Sequence, residues 1–252
     1  MFVHVRATMK PTHCAERQFL LSKGGKLFAA FVLLWTCAAQ SCLAQISGNV
    51  SAVSDYRYRG VSLSEGKPEA QLSLGYDHPD GWYGGGLLSG AQLEGISTMQ
   101  LVTYAGYTRL LLDGLSGEGG VSLTRFRQAG DYNYNEAFVG LTSENISARV
   151  YYSPSYFYQN ARTVYAEVNG AYRLQEHWNV LAHIGVLRHL SGDSALNSAL
   201  MSRYDFRLGL NAYIAEWNFQ LALTGLQKQS SDYPQYEDLH PHTWLLSTAY
   251  SF

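Results

Sequence analysis

From residue 45 onward this chain keeps alternating apolar and polar side chains with period two, and Thr243–Phe252 (TWLLSTAYSF) shows the pattern most clearly. Trp244, Leu246, Thr248, Tyr250 and Phe252 fall on one face. Thr243, Leu245, Ser247, Ala249 and Ser251 fall on the other. Successive side chains of a strand point to opposite faces, so the segment has an oily, aromatic outer side and a mostly small, polar inner side. That arrangement suits the closing strand of a transmembrane β-barrel, and Trp244, Leu246, Tyr250 and Phe252 form the expected assembly signal. The last strand of an ordinary soluble sheet is the alternative that these ten residues leave open.

The same rhythm recurs along the chain. Strands are expected at about 47–59, 69–78, 82–90, 98–111, 116–127, 132–142, 146–156, 163–174, 177–189, 202–215, 217–228 and 242–252. Tyr204, Phe206, Leu208, Leu210, Ala212 and Ile214 make one outward set, against Arg203, Asp205, Arg207, Gly209, Asn211 and Tyr213. Val164, Ala166, Val168, Gly170, Tyr172 and Leu174 make another, against Tyr165, Glu167, Asn169, Ala171 and Arg173. Segments near Trp82 and Gly117 are Gly-rich, and their facing is ambiguous. Mean hydropathy is only −0.15, with 15% charged residues. Alternating strands conceal a membrane protein from hydropathy in this way, whereas a helical span needs roughly 20 apolar residues.

Loop lengths alternate as well. After even-numbered strands come tight turns such as His78-Pro79-Asp80-Gly81, Asp113-Gly114, Ser143-Glu144-Asn145, Gln175-Glu176 and Ala215-Glu216. After odd-numbered strands come longer stretches: 60–68, 91–97, 128–131, 157–162, 189–201 and 229–241. Short turns on one side, long loops on the other and an even strand count characterise bacterial outer-membrane barrels. The expected fold is therefore an all-β, antiparallel up-and-down barrel of about twelve strands. The closing strand is expected to meet the first near Tyr56 and Tyr58.

The amino-terminal region adds a separate signal. Lys23 and Lys26 precede the apolar run Leu27–Trp35, followed by small residues and SCLAQ. Residues 1–44 read as a cleaved signal peptide and 45–252 as the barrel. Cys14, Cys37 and Cys42 all precede the expected cut, leaving no disulfide, thiol nucleophile or Cys-based metal site in the barrel. Removing five basic residues and Glu16 from totals of 18 and 20 leaves 13 and 19, a net charge of about −6 that argues against a nucleic-acid partner. The expected partners are outer-membrane lipid, barrel-assembly machinery with periplasmic chaperones, and a small hydrophilic solute.

Charges on strands of a lipid-embedded barrel belong on the lumen face, because each costs about 2–4 kcal/mol at the bilayer midplane. The candidate lumen-lining and selectivity residues are Asp55, Arg57, Arg59, Asp77, Arg109, Glu136, Arg149, Glu167, Arg173, Arg203, Asp205 and Arg207. Seven arginines against five carboxylates tilt this set slightly toward anions. A water-filled, charge-lined pore and a plug of paired charges are both compatible with it. His177, His183 and His189 share one parity but spread over ~40 Å of strand, too far apart to bind one metal. Candidate serines lie in no recognisable nucleophile motif. No cofactor, metal or catalytic residue is assigned.

The stretch Ser54-Asp55-Tyr56-Arg57-Tyr58-Arg59-Gly60-Val61-Ser62, with Lys67-Pro68 and the Gly81-Trp82-Tyr83-Gly84 hairpin, resembles the opening of the TorF family of porins, also called the Gcw_chp family. The resemblance implies an outer-membrane barrel with a transport role, and it carries over no catalytic or binding residue. The expected function is a porin for passive diffusion of small hydrophilic solutes, with a slight preference for anions. A plugged structural or surface-interaction barrel and a lipid hydrolase are the alternatives.

Overall fold

The computed structural model describes residues 45–93, 95–157, 161–191, 202–228 and 241–252. The expected signal peptide lies outside these residues, as does the acidic, Tyr-rich segment 230–240. In chain order the strands are β1 (Gln45–Val53), β2 (Arg57–Tyr58), β3 (Val61–Ser62), β4 (Glu69–Asp77), β5 (Trp82–Leu93), β6 (Ile96–Leu112) and β7 (Leu115–Phe126). There follow β8 (Tyr134–Thr142), β9 (Ile146–Tyr156), β10 (Ala161–Gln175), β11 (Trp178–Ser191), β12 (Ser202–Ile214), β13 (Trp217–Lys228) and β14 (His242–Ser251). Twelve of them close into one antiparallel barrel in the order β1-β14-β13-β12-β11-β10-β9-β8-β7-β6-β5-β4, while β2 and β3 form a separate hairpin. Closure pairs every strand on both sides, which is what backbone amides and carbonyls require in a medium without water.

The outer face is the alternation read from the sequence. Tyr204, Phe206, Leu208, Leu210 and Ile214 on β12, with Trp217, Phe219 and Leu221 on β13, are exposed apolar side chains. Trp244, Leu246, Tyr250 and Phe252 are exposed on the same side. At the short-turn end aromatic rings gather in pairs: Trp82 on Tyr107 at 5.1 Å and Trp217 on Tyr250 at 5.2 Å. Such rings suit the headgroup boundary of a bilayer. The fold and this outer belt make the protein an outer-membrane β-barrel.

The inner face explains the Gly-rich strands. A Cβ on Gly106 would lie 2.6 Å from the Tyr83 ring, and one on Gly120 2.6 Å from Phe138. These glycines accommodate inward rings that lie flat against the wall. The facing that the sequence leaves ambiguous on β5 and β7 follows from this partnership.

Three expectations are corrected. The first barrel strand stops at Val53 rather than near residue 59. Ser54 is still tied to β14, its amide donating to the Leu246 carbonyl and its hydroxyl accepting from the Leu246 amide, and beyond it the chain leaves the wall for the β2–β3 hairpin. The connection expected over 91–97 is a tight turn. Strands β5 and β6 stay paired as far as Leu93 and Ile96, and Gly95 takes the positive φ of 81° that the reversal demands. The seam between β1 and β14 runs from Asn49↔Ser251 to Val53↔Ser247, well short of Tyr56 and Tyr58.

Candidate functional site

The segment that the alternation assigned to the first strand is a hairpin folded into the barrel. Strands β2 and β3 pair Arg57 with Ser62 and Tyr58 with Val61 across a two-residue turn. Arg59 has φ 50° and Gly60 φ 79°, so both turn residues are left-handed, as in a type I′ hairpin turn. A non-glycine residue there costs roughly 1 kcal/mol, so something must hold Arg59 in place.

Asp55 organises the base of the hairpin. Its carboxylate accepts from Arg57 Nε at 2.6 Å, from the Ser64 hydroxyl at 3.0 Å and from the Ser62 hydroxyl. The Arg57 Nη1 donates to the Gly60 carbonyl at 3.0 Å, bracing the turn from within. Tyr56 donates through its hydroxyl to Gln100 Oε1 on β6 at 2.6 Å, and the Gln92 amide donates to the Leu63 carbonyl at 2.6 Å. Burial pushes the Tyr56 phenol well above its ordinary range, so it remains a donor. Tyr56 and Leu63 pack among Leu87, Ala91, Leu93, Val102 and Phe126, forming an apolar core inside the barrel at its long-loop end.

The tip of the hairpin reaches the far wall. Arg59 donates from Nη1 and Nη2 to the two oxygens of Glu136 on β8, both at 2.8 Å. Its guanidinium carbon lies 4.1 Å from the Tyr165 ring centre, 4.9 Å from Tyr58, 5.1 Å from Tyr151 and 5.5 Å from Tyr156. Burial opposes the charge most strongly, but Glu136 together with Tyr58, Tyr156 and Tyr134 outweighs it and holds Arg59 above the usual guanidinium range. A fork-to-fork pair with a carboxylate is among the stronger side-chain interactions, and stacked rings add to it. Gly60 leaves no room on the adjoining wall: a Cβ there would lie 2.7 Å from Asp205 Cβ and 2.9 Å from Leu226 Cδ1.

Two further polar clusters line the lumen. Glu118 on β7 accepts from the Tyr83 hydroxyl and from Arg149 on β9, whose Nη2 lies 3.1 Å away. Asp205 Oδ1 on β12 lies 2.8 Å from His183 Nε2, and the Tyr165 hydroxyl donates to both Asp205 oxygens at 3.2 Å. His183 Nδ1 sits 2.7 Å from Asn169 Oδ1, so this histidine is oriented by an amide, a phenol and a carboxylate. Among the described residues no three His, Cys, Asp or Glu side chains gather as a metal site.

Placed one by one, the candidate residues separate. Asp55, Arg57 and Arg59 lie in the hairpin rather than on the first strand. Glu136, Arg149, Glu167, Arg203, Asp205 and Arg207 point inward from their strands, and Glu167 accepts from the Tyr151 hydroxyl at 3.2 Å. Asp77 and Arg173 have inward parity at the exposed short-turn rim, where Arg173 donates to the carbonyls of Gln175 and Glu176. Arg109 is corrected: it shares parity with the exposed Leu101 and Tyr107 and faces outward. A register shift between Leu110 and Leu112 lies just beyond it, at the rim where a long side chain reaches headgroups.

Glu118, Gln100, Tyr165 and Asn169 are site residues outside the candidate set. Counting back in twos from the apolar Val121 and Leu123 gives Glu118 the opposite parity, a signal present in the sequence but masked by glycines on both sides.

The model for the family described as "Bacterial protein of unknown function (Gcw_chp)" matches residues 37–252. No curated protein sequence matches the chain. Among solved structures the chain is similar to a KdgM porin, at 12% identity and a TM-score of 0.52, over 83% of this chain and 99% of that one. It is also similar to a NanC porin, at 10% identity and a TM-score of 0.53, over 82% of this chain and 99% of that one. At such identity the likeness is one of fold.

Proposed function

The chain belongs to the Gcw_chp family, and from that premise we propose that it is an outer-membrane porin whose resting lumen is closed by its own first loop. The observation that carries the reading is the β2–β3 hairpin, held inside the barrel by ion pairs and hydrogen bonds as well as by apolar packing. A barrel that needed only to be filled is most simply filled with apolar side chains. Buried ion pairs add little net stability, but they give a segment one defined docked position. The fold likeness to porins supports the same reading.

Transport through such a barrel involves no bond chemistry. Selection follows from bore, from charge placement and from the constriction. Twelve strands give a bore between filled eight-stranded barrels and wide sixteen-stranded porins, so solutes are small and hydrophilic. Arg203 and Arg207 flank Asp205 on the inner face of β12, and this face supplies the slight preference for anions. The short-turn end faces the periplasm, where the chaperones and the assembly machinery meet the Trp244–Phe252 strand.

The test is a planar-bilayer recording of refolded residues 45–252. Discrete steps, rare in the parent protein and frequent when the hairpin is loosened by Glu136→Gln, are the expected result. Silence of both proteins at every voltage and salt concentration would instead favour the permanently plugged, structural barrel.

A further inference from the structure

The Arg59 contacts divide unequally between hairpin and wall. Among the described residues, Tyr58 is the one ring partner that comes from the hairpin. Glu136 belongs to β8, Tyr151 and Tyr156 to β9, and Tyr165 to β10. Three adjacent wall strands thus contribute one carboxylate and three rings around a single planar cation. A loop latch requires only the carboxylate. Gly185 on β11 leaves room for the Tyr165 hydroxyl, and Tyr165 is itself tied to Asp205, so a central ring of the cage is held independently of Arg59.

We propose that the β8–β10 wall carries a guanidinium-binding site, formed by Glu136, Tyr151, Tyr156 and Tyr165, which Arg59 occupies in cis and which takes a guanidinium-bearing solute when that arginine is withdrawn. The chemistry favours a guanidinium over an ammonium. Two parallel N–H donors match the two Glu136 oxygens, and the flat face stacks on phenol rings, whereas an ammonium offers a point charge to one oxygen at a time. Tethering gives Arg59 a high effective concentration at the site, so the intact hairpin excludes free ligand. A solute with this group therefore competes with the hairpin for the wall, independently of whether ions pass through the lumen.

The experiment uses refolded Arg59→Ala titrated with methylguanidinium at low millimolar concentration, followed by tyrosine fluorescence. Saturable binding is expected in Arg59→Ala and not in the parent protein over the same range. Methylammonium, and methylguanidinium with Arg59→Ala/Glu136→Gln, should bind at least about tenfold more weakly, the difference made by one charge-assisted fork. Absence of saturable binding to folded Arg59→Ala, or equal binding of the two cations, overturns the proposal. Should Arg59→Ala refold poorly, the folded fraction on a heat-modifiability gel is the readout. Methylguanidinium raises that fraction for Arg59→Ala but not for the double variant if the site exists, and raises neither or both equally if it does not.

Discussion

Phe252 closes its backbone onto Gly48 with two hydrogen bonds, at 3.0 and 2.9 Å, and its ring lies where a Gly48 Cβ would come within 2.7 Å. The ring therefore covers a place on the outer face of β1 that offers no side chain. Bare strand backbone facing lipid is unfavourable, and an aromatic ring across a glycine shields it. Phe252→Ala should leave the two backbone bonds but uncover the seam. The expected outcome is a reduced folded fraction in outer membranes, with unchanged single-channel behaviour in the molecules that do assemble. Heat-modifiability gels of membrane fractions measure the first and bilayer recordings the second. Normal assembly of Phe252→Ala would show that the ring has no part in closing the barrel.

A second prediction concerns Glu118, the carboxylate between Tyr83 and Arg149. Glu118→Ala deprives a largely enclosed guanidinium of its partner, and such losses cost about 1.5–3 kcal/mol. The urea midpoint of unfolding should fall by that equivalent. The exchanged pair Glu118→Arg/Arg149→Glu should recover part of it, because the attraction survives reversal while the Tyr83 contact does not. Equal midpoints for parent and Glu118→Ala would mean that water already satisfies Arg149.

How far these features were readable depends on which neighbour sets the side chain's direction. Lipid does so on the outer face: Tyr204, Phe206, Leu208, Leu210 and Ile214 must be apolar, and their parity gives the barrel away. Arg109 escapes that logic because Leu110, Leu111 and Leu112 follow without alternation, and the shifted register beside them leaves no period to count. Tyr56-Arg57-Tyr58-Arg59 fails for the opposite reason, having the rhythm of a strand without being part of the wall. The left-handed pair Arg59-Gly60 reverses it into a hairpin, and partners as distant as Gln100 and Glu136 hold that hairpin inside the barrel. Local pattern cannot report contacts at that separation. Within the family resemblance the same residues were already conspicuous, but nothing in their spacing distinguished a wall strand from a hairpin.

The hairpin can be locked in place. A Cβ built on Gly60 lies 3.4 Å from Leu226 Cβ, close to the ~3.5–4.5 Å separation typical of a disulfide, and the turn must shift only enough to clear Asp205 Cβ, 2.7 Å away. All three native cysteines precede residue 45, so Gly60→Cys/Leu226→Cys would form the barrel's one possible bridge. Oxidised, this variant should show no channel steps. Reduced with dithiothreitol, it should conduct at least as often as the parent, since Gly60→Cys puts a side chain on a left-handed residue and weakens the docked turn. Conduction by the fully oxidised variant would mean that solutes bypass the hairpin.

Selectivity gives the last prediction. Several lumen charges are internally neutralised: Arg57 by Asp55, Arg59 by Glu136 and Arg149 by Glu118. On β12 two arginines, Arg203 and Arg207, share the inner face with one carboxylate, Asp205, so this face carries more positive than negative side chains. Reversing both arginines inverts the sign of that face without touching the outer face, which carries the lipid contacts. At low ionic strength, where screening extends over roughly 30 Å at 0.01 M, such a change dominates the field in the bore. In a KCl gradient the parent reversal potential should lie on the anion side. Arg203→Glu/Arg207→Glu should carry it across zero to the cation side, and raising the salt toward ~1 M should shrink both deviations. A reversal potential that ignores the double substitution would put the selectivity elsewhere, on the hairpin or the long loops.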